Sequence, residues 1–127
     1  MPVKKPSKKP PSANPDFRGF ININLTDEDK SSIKSITYEP SDAFMDLDRL
    51  SDDGFKLTFS YDDYNRCYQV IAARKDRDNP DYGIMLAARG STALKALRQW
   101  MYIQDRLIGE STWTDMLSPV NRYDLDD

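Results

Sequence analysis

Phe55, Leu57, Phe59 and Tyr61 alternate with Lys56, Thr58, Ser60 and Asp62. A side-chain period of two puts the apolar set on one face of a strand and so demands a sheet with one buried face. Asp62-Asp63-Tyr64-Asn65 follows, rich in turn-forming residues, and predicts a hairpin. The return strand spans about residues 66–74, with Tyr68, Val70 and Ala72 on one face and Cys67, Gln69, Ile71 and Ala73 on the other. A polar loop holding Pro80 precedes a third strand over about residues 82–88, because proline cannot donate to a central ladder. In that strand Ile84, Leu86 and Ala88 share a face.

Gly90 frees the backbone for a turn, and Ser91 or Thr92 can cap a helix by accepting a bond from an unpaired N–H. Ala93, Leu94, Leu97, Trp100, Met101, Ile103, Leu107 and Ile108 then recur at helical spacing over residues 92–108, up to a stop at Gly109. Lys95, Arg98, Tyr102 and Arg106 return to one line on the opposite side.

Upstream, residues 19–25 alternate, with Ile21, Ile23 and Leu25 inward and Asn22 and Asn24 outward, so they read as a further edge strand. Thr26-Asp27-Glu28-Asp29 has the form of a helix N-cap with acids in the first turn. A second helix starts at Pro40-Ser41-Asp42 and buries Ala43, Phe44, Leu47 and Leu50. The expected fold is α+β. An antiparallel sheet of three or four strands in β-α-α-β-β-β-α order carries a long C-terminal helix on one face, with flexible ends. The other sheet face shows Thr58, Ser60, Gln69, Ile71, Ala73, Met85 and Ala87, neither wet nor fully apolar. The two early helices, or a second copy of the chain, are expected to cover it.

Three segments are expected: a disordered basic Lys/Pro arm over residues 1–15, one domain over 16–117, and an acidic tail over 118–127. Trp113, Met116 and Leu117 are placed to tuck back onto the domain. No apolar run approaches the length of a membrane helix, and no apolar stretch follows Met1-Pro2-Val3-Lys4-Lys5, so neither a span nor a secretory leader is expected. A lone Cys67 makes no internal disulfide and suits a reducing, cytoplasmic setting.

The formal charge of −3 conceals a bipolar chain. Residues 1–20 carry net +4, residues 21–63 net −7, residues 64–109 net +4 and residues 110–127 net −4. With no histidine, the commonest general base and metal ligand is missing. One cysteine builds no zinc site, the acid pairs lack calcium-loop spacing, and no glycine-rich phosphate loop occurs. Those acid pairs read as a helix cap, a solvated face and turns, and Cys67 as a small buried hydrophobe. The expectation is a non-enzymatic protein without a cofactor, a catalytic residue or a metal site.

The basic half supplies the candidate contacts: Arg66, Tyr68, Arg74, Lys75, Arg77, Tyr82, Arg89, Lys95, Arg98 and Tyr102. Cations that follow a phosphate backbone, beside rings on which bases stack, are the parts of a single-strand binder. Single-stranded DNA binding is the first reading, with the arm adding phosphate contacts and the tail competing for them or recruiting a protein. The alternative is a protein-binding inhibitor or adaptor, such as a host-defence antagonist, that sets the acidic 21–63 segment against a basic partner. No membrane contact is expected.

The runs Gly19-Phe20-Ile21-Asn22-Ile23-Asn24-Leu25, Gly54-Phe55-Lys56-Leu57-Thr58-Phe59-Ser60 and Leu86-Ala87-Ala88-Arg89-Gly90-Ser91, with Ala93-Leu94 and Ala96-Leu97, resemble short uncharacterised proteins of phages and other mobile elements. That resemblance implies an accessory role and no transferable activity. The order of helix, three strands and a Gly90-led helix is similar to a double-stranded RNA-binding domain. Ser91, Thr92, Ala93 and Leu94 stand where that family has a lysine pair, and only Lys95 and Arg98 are basic nearby.

Overall fold

The computed structural model describes residues 16–117, so the basic arm and the acidic tail lie outside the described residues. The fold is α+β. Strands β1 (Gly19–Phe20), β2 (Phe55–Asp62), β3 (Cys67–Arg74) and β4 (Ile84–Gly90) form one sheet in the order β1-β4-β3-β2. Helices α1 (Asp27–Ser35), α2 (Pro40–Asp52) and α3 (Ala93–Tyr102) lie on it, and a short α4 (Trp113–Met116) closes the domain.

The hairpin and meander have the expected antiparallel register, with Leu57 opposite Ala72, Phe59 opposite Val70 and Leu86 opposite Ala72 on the third strand. The edge strand differs. Only Gly19 and Phe20 join the sheet, and they run parallel to β4, against Ile84 and Met85, so the sheet is mixed. The Ile21 N–H still bonds the Met85 carbonyl, after which Ile21 bridges to Leu117. Ile23 and Leu25 pack on the core from an irregular segment, so their alternation reports burial without a ladder.

Val70, Ala72, Ile84, Leu86 and Ala88 are buried on the sheet face beneath α3, where they meet Ala96, Leu97 and Trp100. The indole of Trp100 donates to the Leu86 carbonyl at 3.1 Å. Phe55 and Trp113 complete an aromatic cluster around it, with ring centroids 5.8 Å from Phe55 to Trp100 and 5.3 Å from Phe55 to Trp113. Tyr61, expected in this buried row, is exposed, because the distal half of the hairpin extends beyond the helices.

Both early helices start as the sequence predicts. Thr26 Oγ1 accepts from the Asp29 N–H and the Thr26 N–H donates to the Asp29 carboxylate, each at 3.0 Å. Asp42 accepts from the Glu39 N–H at 2.9 Å at the head of α2. Ala43, Leu47 and Leu50 join the core that Leu97 belongs to, and Tyr102 on α3 bonds Asp29 of α1. The early helices therefore lie on the same side as α3, and the expectation that they cover the other face is overturned. Phe44, expected in the buried stripe, points out and is 68% exposed.

The long helix also departs from the expectation. It is α-helical to Tyr102 and continues as a π-helical turn over Ile103–Ile108, with the Gly109 N–H bonding the Gln104 carbonyl. The wider turn keeps Ile103 and Ile108, five residues apart, both buried. Gly90 serves close approach rather than a left-handed turn: a Cβ there would sit 2.5 Å from the Ala96 nitrogen in the first turn of α3.

Asp81, the buried charged residue of the core, fixes α4. Its carboxylate accepts from the Trp113 N–H at 3.2 Å, the Thr114 N–H at 3.0 Å and the Thr114 hydroxyl at 2.7 Å. Asp81→Ala leaves those donors without their acceptor and is expected to cost about 1–3 kcal/mol in denaturant melts. Leu97, 2% exposed, is expected to cost about 2–5 kcal/mol as Leu97→Ala. The exposed Lys95 should change stability by no more than about 0.5 kcal/mol as Lys95→Ala. Equal shifts for Leu97→Ala and Lys95→Ala would contradict the observed rotation of α3.

Candidate nucleic-acid interface

Because β1 pairs with β4 only at Ile84 and Met85, the outer edge of β4 from Leu86 onward faces a groove rather than a strand. The groove divides into two adjacent pockets, its two halves, of about 470 Å³ each, and Arg89 and Gln99 line both. One half lies between β4 and residues 20–24, with Asn22, Asn24, Gln69, Gln99 and Phe20 in its walls. The other lies where α1, the end of β4 and the start of α3 meet. Lys30 and Lys34 enter from α1, Arg89 from β4, and Lys95 and Arg98 from α3. No carboxylate lines either half.

Among the described residues none of these five cations is in an ion pair. Arg89 Nε donates to Gln69 Oε1 at 3.3 Å, which holds the guanidinium across the back of the sheet. Arg98 is half-buried, and its Nε is shielded from solvent without a hydrogen-bond partner. A buried donor on a cation calls for an acceptor, and an anion serves best. The spacing of α1 places Lys30 and Lys34 four residues apart, on one helix face.

Tyr68 pairs across the sheet with Gly90, a lining residue of the cationic half. Its ring meets Tyr61 edge-on, 5.0 Å between centroids, and both rings are exposed. Arg66 is exposed in the hairpin turn just beyond them, in left-handed backbone with φ 53°. Asp62 sits close enough to Arg89 to feel its charge, but its oxygens serve the turn. Side-chain and backbone bonds from Asn65, with one from the Tyr64 N–H, hold its carboxyl below the ordinary 3.8.

The remaining sequence candidates lie elsewhere. Arg74 is five residues along β3 from Gln69, about 17 Å at ~3.3 Å per residue. Its guanidinium lies 3.9 Å from the Phe55 ring centre and bonds the Asp53 carbonyl at 2.7 Å, so it closes the core. Arg77 pairs with Asp16 at 3.5 Å and lies over Tyr82, and Lys75 is exposed at the same end. These four residues share the far end of the sheet and do not contribute to the groove.

Tyr102 is corrected outright. It is 8% exposed, and its hydroxyl donates to Asp29 at 3.0 Å, because α1 covers the line of α3 on which it stands. The bond raises the tyrosine above its ordinary 10.0 and helps the Thr26 backbone N–H keep the Asp29 carboxyl below 3.8. Lys30 and Lys34 were hidden in a segment read as acidic. A signal existed in their i,i+4 spacing, which a segment total of charge erases.

A carboxyl depressed on folding adds stability that is present above its unfolded pKa and is lost as pH falls through the folded one. Tyr102→Phe is therefore expected to raise the Asp29 pKa toward 3.8, read by carboxyl carbon NMR, and to make that acid-limb loss smaller and complete at a higher pH. A titration unchanged by the substitution would refute the assigned role of the hydroxyl. Compared with protein families, with curated proteins and with solved structures, the chain finds no match.

Proposed function

We propose that the protein is a non-enzymatic accessory protein that binds a single nucleic-acid strand, taken as single-stranded DNA, along the β4-edge groove. The observation that carries this reading is the cationic half. Lys30, Lys34, Lys95 and Arg98 converge from α1 and α3 on a groove with no carboxylate in its walls, Arg89 reaches its rim from the end of β4, and among the described residues none of them is in an ion pair. Like charges gathered this way raise the energy of the free protein, and a row of phosphates relieves it.

The volume favours a strand over a duplex, since each half has the size of a small-ligand site. The amides of Asn22, Asn24, Gln69 and Gln99 offer donors and acceptors to base edges, and Tyr61 and Tyr68 offer exposed ring faces beside Gly90. No helix among the described residues is long and apolar enough to cross a membrane. The proposed setting is the cytoplasm, the host's where the chain is phage-encoded.

Fluorescence polarisation with a labelled thymidine oligonucleotide at several salt concentrations tests the reading. Single Lys34→Ala, Lys95→Ala and Arg98→Ala variants are expected to weaken binding to every sequence and to flatten the log–log salt slope by about 0.7 per lost contact. Tyr68→Ala should cost about 1–3 kcal/mol with little change in slope. Arg74→Ala and Arg77→Ala, at the far end of the sheet, should leave affinity unchanged. Removal of residues 124–127, with their three acids, should tighten binding. Absence of binding at low salt, or equal losses from Arg77→Ala and Lys95→Ala, would end the proposal.

A further inference from the structure

A second cleft lies on the opposite flank of α3. It is a trough of about 360 Å³ with Ala43, Phe44 and Leu47 of α2 as one wall, Leu94 and Leu97 of α3 as the other, and Phe59 of β2 below. Its lining is wholly apolar side chains. Leu97 is 2% exposed, so the trough opens onto the core itself. Phe44 and Phe59 are 68% and 41% exposed at its mouth. Tyr61, two residues along the same face of β2, carries the aromatic surface on to Tyr68. Large rings left in water beside a preformed apolar trough mark an interaction site.

Two helical walls above a strand form a groove into which a third helix packs by ridges. The charge on the wall selects what kind of helix. Asp48 stands one turn after Phe44, and Asp52 one turn further, on the outward side of α2. Both are exposed, and neither is in an ion pair among the described residues. Arg49, the cation of α2, is engaged with Asp46 at 3.5 Å and Asp105 at 3.7 Å. Among the described residues the wall therefore keeps uncompensated negative charge. A second copy docked here about a twofold axis would bring two acidic α2 helices face to face, and a nucleic-acid strand would meet the same repulsion.

We propose that this trough docks an amphipathic helix of another protein, one with a line of apolar side chains flanked by lysine or arginine. The trough lies on the other flank of α3 from the β4-edge groove and shares no lining residue with it. Lysine and arginine beside the anchors pair with Asp48 and Asp52, while the anchors cover Phe44 and Phe59.

Polarisation of labelled peptides on the full chain tests this. The probe is a helical leucine–lysine peptide with leucine at every third or fourth position. Its comparisons are a scrambled peptide of the same composition and a leucine–glutamate peptide of the same pattern. The patterned leucine–lysine peptide is expected to bind at least tenfold tighter than either. Phe44→Glu, and separately Asp48→Lys with Asp52→Lys, should each weaken it about tenfold. All these positions are exposed, so melting temperatures should stay near wild type. Arg98→Ala should leave peptide affinity unchanged, and Phe44→Glu should leave oligonucleotide affinity unchanged, which separates the two sites. Equal binding of the scrambled peptide would overturn the proposal, as would indifference to Phe44→Glu. A concentration-dependent dimer abolished by Phe44→Glu in sedimentation would overturn it in favour of a second copy.

Discussion

The indole of Trp100 holds the molecule in register. It is completely buried, donates to the Leu86 carbonyl, and packs against Phe55 and Trp113. Buried indole N–H groups need a partner, and here the partner is a strand that α3 crosses, so one bond fixes the helix along and around its axis. Gly90 fixes the same helix at its start, because only a residue without Cβ lets β4 end so close to the backbone of Ala96. Between these two points α3 has no freedom to roll. Trp113 brings α4 into the same cluster, and Asp81 anchors α4 to the loop before β4. A sheet, its main helix and its closing helix thus meet at one aromatic centre.

The layering follows. With α1, α2 and α3 on one face, the helical layer is crowded and the sheet edge is not. Residues 21–25 leave the sheet to pack under the helices, so β1 ends after Phe20 and the upper part of β4 faces a groove. The cations reach that groove because α1, tied through Asp29 to Tyr102, leans over α3 there. The acids of α2 stand over β2, two strand spacings from β4 in the sheet, about 10 Å at ~4.8 Å each. The bipolar charge of the sequence becomes a bipolar surface. On the proposed function, that polarity would steer a polyanion toward one edge and repel it from the other.

Much of this was legible from residue spacing. Alternation located β2, β3 and β4, and capping residues located the starts of α1, α2 and α3. Long ladders and amphipathic helices declare themselves because burial selects side chains at a fixed period. The edge strand misled for the same reason: Ile21, Ile23 and Leu25 are all drawn inward, and burial alternates whether or not a neighbouring strand supplies hydrogen bonds. Tyr102 and Phe44 failed together. A helical wheel orders residues around an axis, but only the neighbouring helices decide which sector is covered. The covering of Tyr102 by α1 and the open trough beside Phe44 are tertiary facts. Of the candidate residues, Arg89, Lys95 and Arg98 came to line one cleft, and Tyr68 to pair with its Gly90. Arg74 and Arg77 did not, because adjacency in a list of cations says nothing about which end of a strand each occupies.

One helix forms a wall of both clefts. Leu94 and Leu97 face α2, while Lys95 and Arg98, each the next residue along, face the cationic groove. A roll of α3 would narrow one cleft as it widened the other, and would draw apolar side chains into the wet groove and charges into the dry one. Trp100 and Gly90 oppose that roll from either end of the first two turns. The two surfaces are therefore preformed, so on the proposed readings the ordering cost of binding would fall on the ligand and on long side chains rather than on the backbone. Selectivity at each cleft then rests on the chemistry already displayed. That chemistry is cations beside amides and tyrosines on one flank, and phenylalanine and leucine behind aspartates on the other, with none of these charges in an ion pair among the described residues.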